Sequence, residues 1–445
     1  MPQVVFQPFL IFIIIFSCLA YGNATLLPLT ITETIIAIMV LWWLVDMVYK
    51  GNLSFVKTGL WKPILIFLCL VIFQLIPLPL GLIGLLSPGT ATLYEKFTPV
   101  NSAARFFSLS ICPDATTPEL FKVLIYIGIF FLVINMLKTK RQLNFIINTI
   151  IFFGLIISLF GIIQKYAYSG KVYWFDPPNS APTPFGPFVN RNNFAGYINM
   201  VIPLALGYSL IDMPMSKRII YGFCAGIMSS ALFLSLSRGG ILVYILVSLF
   251  ILICSRYKTS LKNRRKFLSA WVFTLLGLLI FLGDVRAVWQ RLSGLFGKGA
   301  FTFLGHGYSW LDTLRIWQDF PLFGTGLGTF GNISSMYKST PECTLFIYAH
   351  NDYLQLLSEV GLLGFLVLSI FFILYFKSVL KMWVERHDPY AICLSLGGIA
   401  SIFAMLVYSF LDFNLHIPAN ALLFFIIMGL IYRLVHTRFT DAIPK

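Results

Sequence analysis

Residues 219–255 read IIYGFCAGIMSSALFLSLSRGGILVYILVSLFILICS, and this stretch decides the class of fold. It holds two apolar runs, 219–236 and 239–255, parted only by Ser237 and Arg238, and Arg238 is its one charged residue. Each run approaches the roughly 20 apolar residues that cross ~30 Å of hydrocarbon as a helix. Two of them back to back read as a membrane hairpin with an arginine at its tip. Working outward, comparable runs lie near 5–21, 32–49, 63–86, 120–137, 143–164, 194–211, 268–283, 360–376, 391–411 and 418–435. That makes twelve expected spans, of which 63–86 contains Pro77 and Pro79 and is expected to bend or break. The first run is kept as a span because no Lys or Arg precedes it and no A-x-A cleavage pattern follows it.

Composition agrees. Of 445 residues, 58% are hydrophobic and 11% charged, and mean hydropathy is +0.86. A soluble domain carries about 25% charged residues, so a soluble enzyme, a disordered regulator and a nucleic-acid-binding module are excluded. The +15 net charge is a topology signal instead. With the N-terminus in the cytoplasm, twenty of the 32 Lys and Arg fall in short inside segments, including the 256–266 cluster. The long outside segments are then about 87–119, 165–193 and 284–359. In the last, Ser309 and Asp312 fit a capping box, with Trp310, Leu314 and Trp317 on one face of the helix that follows. Cys112 and Cys343 both fall outside, and a disulfide between them stays open.

Several chemistries have no sequence support. There is no G-x-x-x-x-G-K-[ST], no pair of aspartates two residues apart, and no His/Cys cluster with metal spacing. Gly324, Gly326 and Gly328 follow no expected strand and are read as tight turns. No cofactor or metal is expected, so any transformation must draw on a substrate that is already activated.

Polar residues concentrate in four outside-facing places. The first is the segment 184–196, where Asn190, Asn192 and Asn193 flank Arg191 at the mouth of a span. Arginine offers a planar fork of donors to phosphate, and asparagines bond sugar hydroxyls or cap helices. The second is the Ser237-Arg238-Gly239-Gly240 turn. The third contains Arg315 and Trp317, a charge for phosphate and a ring for sugar, with an Arg315–Asp319 pair at i,i+4 as the structural alternative. The fourth is Ala349-His350-Asn351-Asp352-Tyr353, running into Gly361 and Gly364. His350 is expected to open a helix whose positive N-terminus keeps the imidazole neutral, the alternative being a simple polar cap.

At these four segments the chain resembles the O-antigen ligase and polymerase superfamily of bacterial envelope glycosyltransferases, ligase-like. The resemblance covers about 180–375 and the twelve-span layout. The ligase signature is His-[Asn/Ser/Gln], nine residues, then Gly-x-x-Gly-Thr-Gly. His350, Asn351, Gly361 and Gly364 match it, while Phe365 and Leu366 depart from it, which bears on ligase against polymerase. The resemblance implies an all-α polytopic membrane protein, 1–445 one integral membrane domain, with a large partly helical periplasmic loop at 284–359 carrying part of the active site. It implies a membrane-type glycosyltransferase of the bacterial inner membrane, working on the periplasmic side without metal or cofactor. The donor would be an undecaprenyl-diphosphate-linked glycan, with its lipid between the spans, and the acceptor lipid A–core or another saccharide. Arg191, Arg238 and Arg315 would bind the diphosphate, His350 would be the general base, and Asn190, Asn193, Trp317 and Asn351 would contact substrate. A polymerase would take a second lipid-linked repeat unit as acceptor; a protein O-glycosyltransferase and a transporter are the remaining rivals.

Overall fold

The computed structural model describes residues 3–51, 55–56, 58–98, 106–167, 172–173, 183–258, 307–339 and 347–437. The hairpin at Arg238 is present as α9 (Met215–Leu234) and α10 (Arg238–Lys258). Before it come α1 (Gln3–Leu19), α2 (Leu26–Tyr49), α3 (Trp61–Leu75), α4 (Leu80–Leu86), α5 (Pro88–Phe97), α6 (Pro113–Met136), α7 (Lys140–Ala167) and α8 (Arg191–Leu210). After it come α11 (Gly307–Asp319), the one-turn α12 (Phe330–Ile333), α13 (Asp352–Glu385), α14 (Pro389–Tyr408) and α15 (Pro418–His436).

Eight of these helices, α2, α6, α7, α9, α10, α13, α14 and α15, are long and apolar enough to cross a membrane; α1 and α3 contain shorter apolar helices. The chain is thus a multi-pass helical membrane protein. The other four expected spans fare differently, and 5–21 forms only the shorter α1. The run at 268–283 lies outside the described residues. The run at 194–211 forms α8, but its asparagines leave it short of the eight. It is instead the centre of the molecule, buried continuously from Asn193 to Leu210. The run 63–86 breaks where its prolines lead one to expect: Pro77 forces Ile76 into extended backbone (ψ 128°), ending α3 at Leu75. Leu78–Pro79 then pairs antiparallel with Phe106–Phe107 before the short α4.

Around α8 pack α9, α10 and α14, the last most extensively. Gly207 and Gly397 let the α8 and α14 backbones meet, since a Cβ on Gly397 would lie 2.5 Å from the Pro203 carbonyl oxygen. The outermost helices expose apolar side chains, among them Leu41, Val45 and Val48 of α2 and Leu366, Ile370 and Ile373 of α13, as lipid contact requires.

The break in α13 matters most for the site. Gly361 has φ 63° and ψ −173°, a conformation essentially reserved for glycine. The segment 321–326 fills the gap. Leu362 and Leu363 donate to the carbonyls of Pro321 and Leu322 at 2.8 and 3.2 Å, and Thr325 and Gly326 donate to those of Ser358 and Glu359, both at 2.9 Å. The buried Glu359 carboxylate accepts the N–H of Gly328 (2.9 Å) and Phe330 (3.3 Å). Gln74 of α3 donates to the Phe323 and Glu359 carbonyls at 2.7 and 3.0 Å and accepts from Leu327 N–H at 3.2 Å. Irregular backbone therefore lies against protein, and its polar groups are paired. The Gly324, Gly326 and Gly328 run makes tight turns, all at positive φ.

Candidate functional site

Two short segments meet beside the N-terminus of α8: the approach to α13 (349–352) and the turn between α14 and α15 (409–417). Asp352 N–H donates to the Ser409 carbonyl at 2.8 Å, and the Asn351 amide donates to the Phe410 carbonyl at 3.2 Å. This brings together two histidines and two aspartates in crossed pairs. His350 Nδ1 lies 2.9 Å from Asp412 Oδ1, and His416 Nδ1 lies 2.7 Å from Asp352 Oδ1. Both aspartates are buried and both histidines partly exposed. The Phe413 ring sits between the pairs, edge-on to His350 (centroids 4.7 Å apart) and stacked on Tyr348 (4.4 Å), which in turn meets His416.

Asp412 is held from several sides. Its Oδ2 accepts the Asn192 amide at 2.8 Å and its Oδ1 accepts its neighbour Phe413 N–H at 2.9 Å. Asn192 accepts the Ser237 hydroxyl at 2.9 Å, and Ser237 exchanges a hydrogen bond with Tyr408 at 2.8 Å. The network thus runs from His350 to the tip of the α9–α10 hairpin. Arg191 and Arg238 are the immediate chain neighbours of Asn192 and Ser237, and the Arg191 charge acts on the Tyr408 hydroxyl.

His350 does not open the helix as expected. It sits two residues before α13 at φ 54°, and Asn351 is the cap, its Oδ1 accepting Tyr353 and Leu354 N–H, both at 3.1 Å. The left-handed backbone at His350 lets its carbonyl accept Trp310 Nε1–H at 3.1 Å while its ring turns to Asp412. Asn190 likewise caps α8 through Asn192 N–H (2.9 Å). Asn193 is buried, and its carbonyl accepts the Asn420 amide at 3.0 Å.

Arg315 lies on α11, exposed, its Nη1 donating to Asp312 Oδ1 at 3.1 Å rather than to Asp319, whose carboxylate accepts the Tyr337 hydroxyl at 2.5 Å. The expected capping box at Ser309 is also corrected. α11 opens at Gly307, and Ser309 donates instead to the Ala349 carbonyl at 3.3 Å, tying α11 to the His350 segment. Trp317 Nε1 donates to the Pro321 carbonyl at 3.2 Å. His306 and Cys343 lie outside the described residues.

The surroundings of His416 act on its proton affinity in opposite directions. Burial lowers its affinity for a proton, but the Asp352 hydrogen bond and charge, with Glu359 and Glu119 behind them, outweigh burial and raise it above the ordinary 6.5. A raised folded-state value means the stabilisation is full below 6.5 and is lost as pH rises through the folded value. The thermal midpoint should therefore fall on going from mildly acidic to mildly alkaline buffer, and Asp352→Asn should flatten that slope. Differential scanning fluorimetry of both proteins across pH checks this.

Sequence reading missed Asp412 as the partner of His350, because nothing in the pattern links positions far apart in the chain. His416 lies in the turn between α14 and α15, which only the fold brings to the site. No curated protein matches the chain. Residues 223–369 match the family model described as O-Antigen ligase. The match contains Arg238, Arg315, His350, Gly361 and Gly364, while Arg191, Asp412 and His416 lie beyond it and join the site through the fold. Over that stretch the chain is similar to the O-antigen ligase family, which supports its resemblance to the O-antigen ligase and polymerase superfamily.

Proposed function

We propose that the protein transfers a glycan from undecaprenyl diphosphate to a sugar hydroxyl of lipid A–core, on the periplasmic face of the bacterial inner membrane. The observation that carries this reading is the His350–Asp412 pair, a partly exposed imidazole hydrogen-bonded to a buried, multiply held carboxylate. Asp412 fixes the proton on Nδ1 and leaves the Nε2 lone pair as acceptor, a tautomer assigned from the network. The acceptor O–H gives its proton to Nε2 while its oxygen attacks the anomeric carbon. The carbon–oxygen bond to the diphosphate breaks, undecaprenyl diphosphate leaves with the electron pair, and configuration inverts.

Arg191 and Arg238, beside the network, and Arg315, on the helix tied to the His350 segment, hold the diphosphate and stabilise the leaving charge. Asn193 and Trp317 contact the sugars, and Asn190 and Asn351 act through the helix starts they cap. Arg191→Lys and Arg315→Lys keep charge but lose the two-pronged geometry. Each should lower kcat/KM roughly 10–10²-fold, from the 1.5–3 kcal/mol typical of a hydrogen bond to a charged group. Transfer by the purified variants with labelled donor measures this, and unchanged kcat/KM in both would remove the diphosphate role. The sidedness rests on the Lys and Arg distribution. A reporter after Lys266 should read cytoplasmic and one within 284–345 periplasmic; the reverse at both would put the site in the wrong compartment.

Polymerisation, with a second lipid-linked repeat unit as acceptor, is the second reading. Phe365 and Leu366, where the ligase signature has Thr-Gly, favour it. Offering both acceptors in one assay decides between them.

A further inference from the structure

A cavity of about 220 Å³ opens next to the site, between α3, α6, α13 and α15. Phe67, Phe130, Phe371, Phe372, Phe424 and Phe425 give it apolar aromatic walls. Among the described residues its charged lining groups stand in two neutralising pairs: Lys122–Glu119 at 2.5 Å, and His416–Asp352, the second of the crossed pairs. A hydrocarbon chain fits the walls, and a polar head without strong net charge fits the paired end. That end is two residues from His350 in the chain, so the head of an occupant would lie at the site.

Tyr126 narrows the choice of occupant. It lines the same cavity, two helical turns along α6 from Glu119, with its ring stacked on Phe425 (centroids 5.4 Å apart). The side chain is more than nine-tenths buried, and its hydroxyl meets no hydrogen-bond partner among the described residues. Buried hydroxyls almost always find a partner. A pure isoprenoid chain has no polar atom to give it, whereas an acyl chain attached through an ester has a carbonyl.

We propose that this cavity binds the ester-linked acyl chain of the acceptor lipid, the Tyr126 hydroxyl donating to the ester carbonyl and the saccharide head lying at His416 and Asp352. The assignment rests on the transfer reading in naming the lipid as acceptor; the binding itself does not. It also favours ligation, since the acceptor of a polymerase would be carried on a polyprenyl chain.

The test is equilibrium binding of a radiolabelled, ester-linked diacyl glycolipid to the full chain in detergent, against its dialkyl-ether analogue and undecaprenyl phosphate. In the wild type, the ester should bind roughly tenfold more tightly than the ether, the worth of one hydrogen bond to a buried hydroxyl. Undecaprenyl phosphate should compete poorly. Tyr126→Phe should weaken the ester to the ether's affinity while leaving ether binding unchanged, which also reports that the variant is folded. Leu368→Trp, which fills the cavity, should lose both. Equal binding of ester and ether by the wild type, or effective competition by undecaprenyl phosphate, overturns the proposal. Repeating the titration in His350→Ala separates it from the function. Ester preference without any transfer in the wild type would sink the transfer reading alone, and transfer without ester preference would sink the cavity assignment alone.

Discussion

His350→Ala is expected to keep the donor bound and to lose roughly 10²–10⁴-fold in transfer, the usual range for removal of a general base. Asp412→Asn should cost roughly 10²-fold or more, because an amide facing Nδ1 no longer fixes the proton there and the wrong nitrogen is presented to the acceptor. His387, exposed in the loop between α13 and α14, supplies the control, and His387→Ala should keep its activity. Transfer and donor binding are measured in parallel for all three variants. Near-normal turnover in His350→Ala would leave this residue only its backbone role under Trp310.

Gly361→Ala is expected to have the largest structural effect. The residue sits at φ 63° and ψ −173°, and a Cβ there would lie 2.3 Å from the Leu322 carbonyl oxygen. The backbone strain alone is worth about 1–3 kcal/mol. The overlap adds to it by pushing out the 321–326 segment that pairs with both sides of the break. The variant should melt at lower temperature and lose transfer together. Gly84→Ala, where a Cβ meets only Ala91 at 3.8 Å, should do neither. Thermal unfolding monitored in detergent checks both, and a Gly361→Ala melt equal to the wild type would mean that the break is not a fixed feature of the fold.

Much of this was legible in the sequence, and the limits are physical. Long apolar runs announce helices because only a helix satisfies its backbone inside lipid, so ten of the twelve expected runs appear as helices close to where they were read. Pro77 gave a local reason to doubt 63–86, and the structure ends α3 there. The spacing from His350 to Gly361 also carries meaning, since the histidine must precede α13 and the glycine must break it. What could not be read is side-chain pairing across the fold. Asn190 and Asn351 look like sugar ligands as easily as caps until Asn192, Tyr353 and Leu354 N–H groups are seen donating to them. Asp412 sits in a turn and Asp352 opens α13, and only the meeting of 349–352 with 409–417 pairs them with His350 and His416. The gap that Gly361 opens for 321–326 likewise needs the third dimension.

The central claim is a single displacement at the anomeric carbon, with His350 taking the acceptor's proton. The direct measurement is reconstituted transfer from a labelled undecaprenyl-diphosphate glycan to lipid A–core, reading product, released lipid and anomeric configuration together. The account predicts one undecaprenyl diphosphate released for each glycan transferred, an inverted linkage, and loss of both products in His350→Ala. Retention of configuration, or release of the diphosphate at an undiminished rate in His350→Ala, would contradict it.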